Sequence, residues 1–181
     1  MWNVDTEGAG ATWTLESGRL VMTLLASGVP GGRYNQLSQA FGSQCQFDGD
    51  FDARVSYQLL DWAPPTGARV QLSAWIFPDL NSDAARTSTQ MGESYWGDIV
   101  STHNSSATND TQGRLRVTRT NGLVRSYFLE NGSWVELNAA RAVGRVMIGL
   151  QLFAPAEEWQ QKETRVAFDD FSVAAPTDLC P

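Results

Sequence analysis

The sequence predicts an all-β chain, an antiparallel two-sheet β-sandwich with almost no helix. Three observations carry that reading. Residues 47–62, FDGDFDARVSYQLLDW, alternate strictly: Phe51, Ala53, Val55, Tyr57 and Leu59 point one way, Asp52, Arg54, Ser56 and Gln58 the other. Side chains change face at every residue of a strand, so this is a long strand with one buried face, expected at the centre of a sheet. Two Asn-Gly pairs, Asn121-Gly122 and Asn131-Gly132, are hairpin turn signals between apolar runs. Strand-like runs recur at short intervals, ten or eleven in all, and only residues 157–162 could make a helical turn.

In chain order, residues 1–12 lack periodicity and read as a loop. Residues 13–15 and 19–25 form a hairpin around Glu16-Ser17-Gly18, and 34–41 an edge strand. After the central strand, Ala68, Val70, Leu72, Ala74 and Ile76 alternate with Arg69, Gln71, Ser73, Trp75 and Phe77. Residues 78–91 are polar and irregular, a surface loop by composition. Residues 93–102 read as a strand and 103–111, HNSSATNDT, as a solvated loop. Leu115 and Val117 begin a strand that turns at Asn121-Gly122 and returns over 124–129. Asn131-Gly132 leads into 134–137, and Val146, Ile148, Leu150 and Leu152 alternate again. In the last strand, RVAFDDFSV, Val166 and Phe168 have one parity while Phe171 and Val173 have the other. An extra residue at Asp169 or Asp170, a β-bulge, would return all four to the core.

At 181 residues the chain is long enough for a sizeable core, and the organisation expected is one domain over 1–175 with a tail over 176–181. Hydrophobic residues make up 42%, which excludes a disordered chain, and the net charge of -7 argues against nucleic acid as a partner. No apolar run approaches the roughly 20 residues that span a bilayer, so membrane insertion is not expected. No charged-then-apolar leader follows Met1, so either the protein stays in the cytoplasm or a leader has been removed. The cysteines favour the second. Should the final strand run antiparallel to the central one, its far end arrives beside Cys45, and a Cys45–Cys180 disulfide would pin the tail. The alternative is two unrelated thiols. A disulfide points to an oxidising compartment and hence to a secreted or cell-surface protein.

The series GRLVM, GDFDARVSYQL, RLRVTRTNGLVRSYFLENGSWVEL, VGRVMIGLQLF and VAFDDFSV resembles the concanavalin A-like (laminin G-like) jelly rolls of secreted bacterial proteins. The NGSW step and the following GLQL are similar to their G-x-W hairpin and next strand, and the resemblance spans residues 13–174. It implies two stacked, curved sheets, one with a concave outer face that often carries ligand. Related hydrolases pair carboxylates on one strand, but no strand core here carries Glu-x-Asp or Glu-x-Glu. Related lyases combine Arg, Gln, His and Tyr, and the single histidine, His103, falls in the polar 103–111 stretch. An enzyme is therefore not expected. The resemblance also implies room for one structural calcium, for which Asp169 and Asp170 with Glu7 or Asp5 are the candidate ligands. The alternative is that one aspartate caps the bulge while the other faces water. No other cofactor is expected.

The candidate ligand-binding residues are the outward members of the alternating strands. Arg69, Gln71 and Trp75 come from one, Arg116 from another, and Arg125 and Tyr127 from its hairpin partner, with Trp96 added from a loop edge. Aromatic faces with planar polar side chains suit a sugar ring and its hydroxyls, and the arginines would favour acidic sugars. The competing reading pairs those arginines with acids such as Asp52 across strands. Trp62 is a further candidate, and Trp13 and Trp134 are assigned to packing. Three sequons begin at Asn104, Asn109 and Asn131. The expectation is a non-catalytic carbohydrate-binding or adhesion module with a glycan or polysaccharide partner, part of a larger multidomain protein. The alternatives are a protein-interaction module and a divergent polysaccharide-active enzyme.

Overall fold

A computed structural model describes residues 2–62, 67–77, 80–99 and 102–179. Two antiparallel sheets face each other. One follows the order β1 (Trp2–Glu7), β4 (Gln36–Ser43), β14 (Val146–Pro155), β7 (Arg69–Ile76), β8 (Leu80–Thr89), β9 (Gly92–Ile99) and β10 (Thr102–Ala107). Two short strands complete its nine: β5 (Gln46–Asp48) beside β14, and β16 (Thr177–Leu179) beside β5. The other sheet has seven strands in the order β13 (Ser133–Arg141), β12 (Leu123–Glu130), β11 (Gln112–Thr120), β6 (Phe51–Asp61), β15 (Thr164–Ala174), β3 (Arg19–Val29) and β2 (Ala9–Glu16). The described residues contain no helix; residues 156–158 form only a turn.

The core lies between the sheets and is built from the predicted alternation. Phe51, Ala53, Val55 and Tyr57 of β6 meet Val70, Leu72, Ala74 and Ile76 of β7 and Val146, Ile148, Leu150 and Leu152 of β14 in one buried cluster. Each large apolar side chain removed from water contributes roughly 1.5–3 kcal/mol. β6 is the middle strand of its sheet, as its long alternation predicts. The hairpin turns follow from Asn121 and Gly122 (φ 52° and 72°) and Asn131 and Gly132 (φ 49° and 79°), a left-handed pair that few other dipeptides adopt cheaply. On β15 the register against β6 slips between Asp169 and Ser172, with Asp170 at φ 51°. Phe171 and Val173 thereby pack against the same core as Val166 and Phe168.

Several segments differ from the sequence reading. Sixteen strands are described rather than ten or eleven. Residues 2–16, read as loop up to Thr12, form β1 and β2, one at an edge of each sheet, with the chain crossing between them at Gly8 (φ 76°). β4 is consequently not an edge strand. Most of 78–91 is β8, an interior strand paired on both sides. It lacks apolar alternation because its core-facing positions include Ser82, Ala84, Arg86 and Ser88, the arginine neutralised inside the sandwich by Glu93. Much of the stretch starting at His103 is β10, held on β9, and residues 177–179 of the expected tail form β16 on β5.

The two lateral openings of the sandwich differ. On one side β10 and β13 approach, with the Asn104 amide donating to the Leu137 carbonyl (2.9 Å). On the other, β1 and β2 leave a cleft of about 440 Å³ lined by Trp2, Val4, Trp13, Leu15, Phe41 and Phe171 among others. Leu15, on the core-facing side of β2, is 71% exposed there.

Candidate functional site

The candidate binding residues divide between the two outer faces of the molecule. Arg116, Arg125 and Tyr127 lie on the seven-stranded sheet, whereas Arg69, Gln71, Trp75 and Trp96 lie on the nine-stranded one. They do not form one face.

On the seven-stranded sheet the arginines are committed to acids. Asp52 accepts two hydrogen bonds from Arg54 (3.0 and 2.5 Å) and two from Arg116 (2.9 and 2.7 Å). Burial alone would raise the Asp52 carboxyl, but those bonds and the two guanidinium charges outweigh it and hold the group at about 2. Both guanidiniums sit over the Trp134 ring (6.0 and 5.4 Å to its centroid), and Arg116 also covers Tyr127 at 5.5 Å. Arg125 pairs with Glu136 at 3.3 Å. The competing reading of cross-strand pairing describes this face.

The nine-stranded sheet carries a groove of about 530 Å³ across β1, β4, β14, β7 and β8. Register builds it in rungs. One runs Asn3, Gly42, Gly149, Ser73, Asp83, Asp98 and His103; the next runs Asp5, Ala40, Gln151, Gln71, Ala85 and Trp96. The floor is low because Ala40, Gly42 and Gly149 carry little or no side chain. Trp75 lies down on that floor: a Cβ added to Gly149 would fall 2.2 Å from its six-membered ring, and one on Gly42 3.3 Å from it. Beside it the Gln71 amide donates to Ser73 Oγ (2.9 Å) and to Gln151 Oε1 (3.0 Å), making a fixed amide row. Gln71 and Ser73 are thus largely buried among their neighbours rather than fully exposed, while Phe77, at the strand end, is 47% exposed.

Toward β9 the surface continues past Arg69, which lies over Trp96 (4.2 Å) and near Phe153 (5.4 Å) and pairs with Glu158 at 3.5 Å. Trp96 also meets His103, at 5.4 Å between centroids, so the histidine stands on a strand of this sheet rather than in a loop. Asp83 and Asp98 are directly opposite across β8 and β9. Burial raises the Asp83 carboxyl to about 7; the Asp98 charge adds to this, against the Ser73 hydrogen bond and the Arg69 charge. Its Oδ1 is enclosed without a hydrogen-bond partner. Sequence reasoning missed Asp83, Gly42 and Gly149.

No protein-family model and no curated protein matches the chain. Solved structures do. An alginate lyase of polysaccharide lyase family 7 superposes with a TM-score of 0.71 at 6% identity, over 97% of this chain and 94% of that one. The carbohydrate recognition domain of Emp47p gives 0.57 at 14% identity, over 92% and 87%. The CBM2 module of the evolved Dit protein of Lactobacillus casei BL23 phage J-1 gives 0.58 at 6%, over 98% and 91%. What this chain shares with them is its fold, a jelly-roll β-sandwich consistent with the concanavalin A-like resemblance.

The candidate calcium ligands are spread over both sheets. Glu7 and Asp5 are on β1, and a Glu7 carboxylate oxygen accepts from the Tyr34 amide (3.3 Å). Asp170 accepts from Ser56 (3.2 Å) and Arg114 (3.4 Å), and Asp169 from the Asp170 amide (2.9 Å). Among the described residues no three potential ligands gather as a metal site. Trp62 donates to Glu93 (2.9 Å) and belongs to the buried Arg86 network. Of the expected Cys45–Cys180 bridge, Cys180 lies outside the described residues; the last described pair, Leu179 opposite Gln46, is one residue short of both cysteines.

Proposed function

We propose that the chain is a non-catalytic carbohydrate-binding or adhesion module, working within a larger secreted or cell-surface protein, and that the nine-stranded sheet's groove holds the glycan. The observation that carries this is the Trp75 ring laid on the Gly42–Gly149 floor beside the fixed Gln71–Gln151 row. An aromatic face next to oriented amides is the chemistry that grips a sugar ring and its hydroxyls. Structural neighbours whose names refer to carbohydrate recognition or binding support the reading. A Cys45–Cys180 disulfide and the oxidising compartment it implies belong to the same proposal, supported by the β5–β16 register.

A glycan array probed with the native chain and with Trp75→Ala tests it. The expected result is binding that falls at least tenfold in the variant, with both proteins folded by circular dichroism. Binding that survives the substitution would move the ligand off this groove. A second reading, a protein-interaction module, is favoured by the apolar cleft between β1 and β2. It gains if no glycan binds a folded chain.

A further inference from the structure

Resting on the glycan-binding reading, we propose that the groove selects uncharged polysaccharides and excludes those bearing carboxylate or sulfate groups. The polar lining is dominated by amides, among them Asn3, Gln36, Gln71, Asn81 and Gln151. Each amide offers donors and an acceptor, which matches a hydroxyl and gives an anion no compensating charge. The charged lining residues of the groove and its continuation toward β9 are Asp5, Asp83, Asp98 and Arg69. The one guanidinium among them is already paired with Glu158 and lies over Trp96. Arg33 approaches the rim only through the Tyr34 ring, 5.3 Å from its centroid. Of the other arginines, Arg54, Arg116 and Arg125 stand on the opposite face and are held by Asp52 and Glu136, while Arg145 is exposed at the groove's end, where its carbonyl accepts from the Phe77 amide (2.9 Å).

An acidic chain laid in the groove would bring its charges toward Asp5 and Asp98 and over the electron-rich face of Trp75, and each approach is repulsive. The net charge of -7 adds a long-range term of the same sign. An uncharged chain meets none of these terms and keeps the ring stacking and the amide hydrogen bonds. Discrimination here comes from unfavourable contacts with the wrong ligand as much as from favourable contacts with the right one.

Affinity electrophoresis of the full chain at pH 7 and low salt provides the test. The gels carry either a neutral polymer (mixed-linkage β-glucan, arabinoxylan or galactomannan) or an acidic one (alginate, polygalacturonate or chondroitin sulfate). The expected result is retardation by at least one neutral polymer, little changed by high salt, and at least tenfold weaker retardation by every acidic one. Asp98→Arg is expected to strengthen alginate binding about fivefold by reversing a nearby charge. An acidic polymer bound as tightly as the best neutral one overturns the selectivity and leaves the glycan-binding reading standing. Retardation by no polymer, from a chain with an intact thermal transition, overturns both.

Discussion

Asp83 ties the groove to pH through a single carboxyl. Its folded value of about 7 lies above the ordinary 3.8, so the native state binds the proton more tightly than the unfolded chain. Below pH 3.8 both states are protonated and nothing is lost. As the pH rises from about 4 to 7 the unfolded chain ionises first, and stability falls by about 2–4 kcal/mol before levelling off. Asp83→Asn is therefore expected to raise the urea midpoint at pH 8 and leave it unchanged at pH 4; equal effects at both would contradict the protonation argument. Asp52, held down at about 2, has the opposite sign: its stabilisation is present above pH 3.8 and is lost as the pH falls toward 2. Alternation along residues 69–76 made Gln71 and Trp75 legible as outward side chains. It could not show that Trp75 would lie flat, because that depends on Gly42 and Gly149 from two other strands. Gly149→Ala should displace the ring and weaken glycan binding about tenfold, measured by calorimetry beside Trp75→Ala, with a smaller change in thermal stability.

Among the elements, β6 and β7 were legible because one face of each meets only core, and the bulge in β15 was legible because a parity break has few other causes. β8 was not. A strand paired on both sides can replace apolar residues with small ones and one charged side chain, provided the charge finds a partner. Arg86 is 2% exposed, pairs with Glu93 at 2.5 Å, and donates to the Asp110 carbonyl that closes the end of the sandwich. Removing one member leaves the other buried and uncompensated. Glu93→Ala is expected to cost about 3–5 kcal/mol in urea unfolding at pH 7, whereas the joint replacement of Arg86 and Glu93 by apolar residues of similar volume should cost much less. A loss under 1 kcal/mol for the single substitution would mean that the pair is hydrated.

For the whole molecule, local pattern says which way a side chain points and not which sheet it joins. The strand order, with β14 between β4 and β7 and β11 beside β6, puts Trp75 and Arg116 on opposite sides of the protein although both read as outward. That is why Arg116 and Arg125 looked like partners of the tryptophan in one dimension and are not in three. The proposed Cys45–Cys180 bridge would close most of the chain into one loop and contribute about 4–5 kcal/mol. Intact mass after alkylation without reductant should show no modified thiol, and reduction should lower the melting temperature; two modified thiols in the native protein would remove the bridge. β1 borders two cavities at once. Asn3 and Asp5 on one side of it line the groove, while Trp2 and Val4 on the other line the apolar cleft. A six-residue edge strand bonded on one side only is thus a shared wall, and a ligand that stiffens it from the groove is expected to change binding in the cleft by the same factor as the cleft's occupant changes binding in the groove.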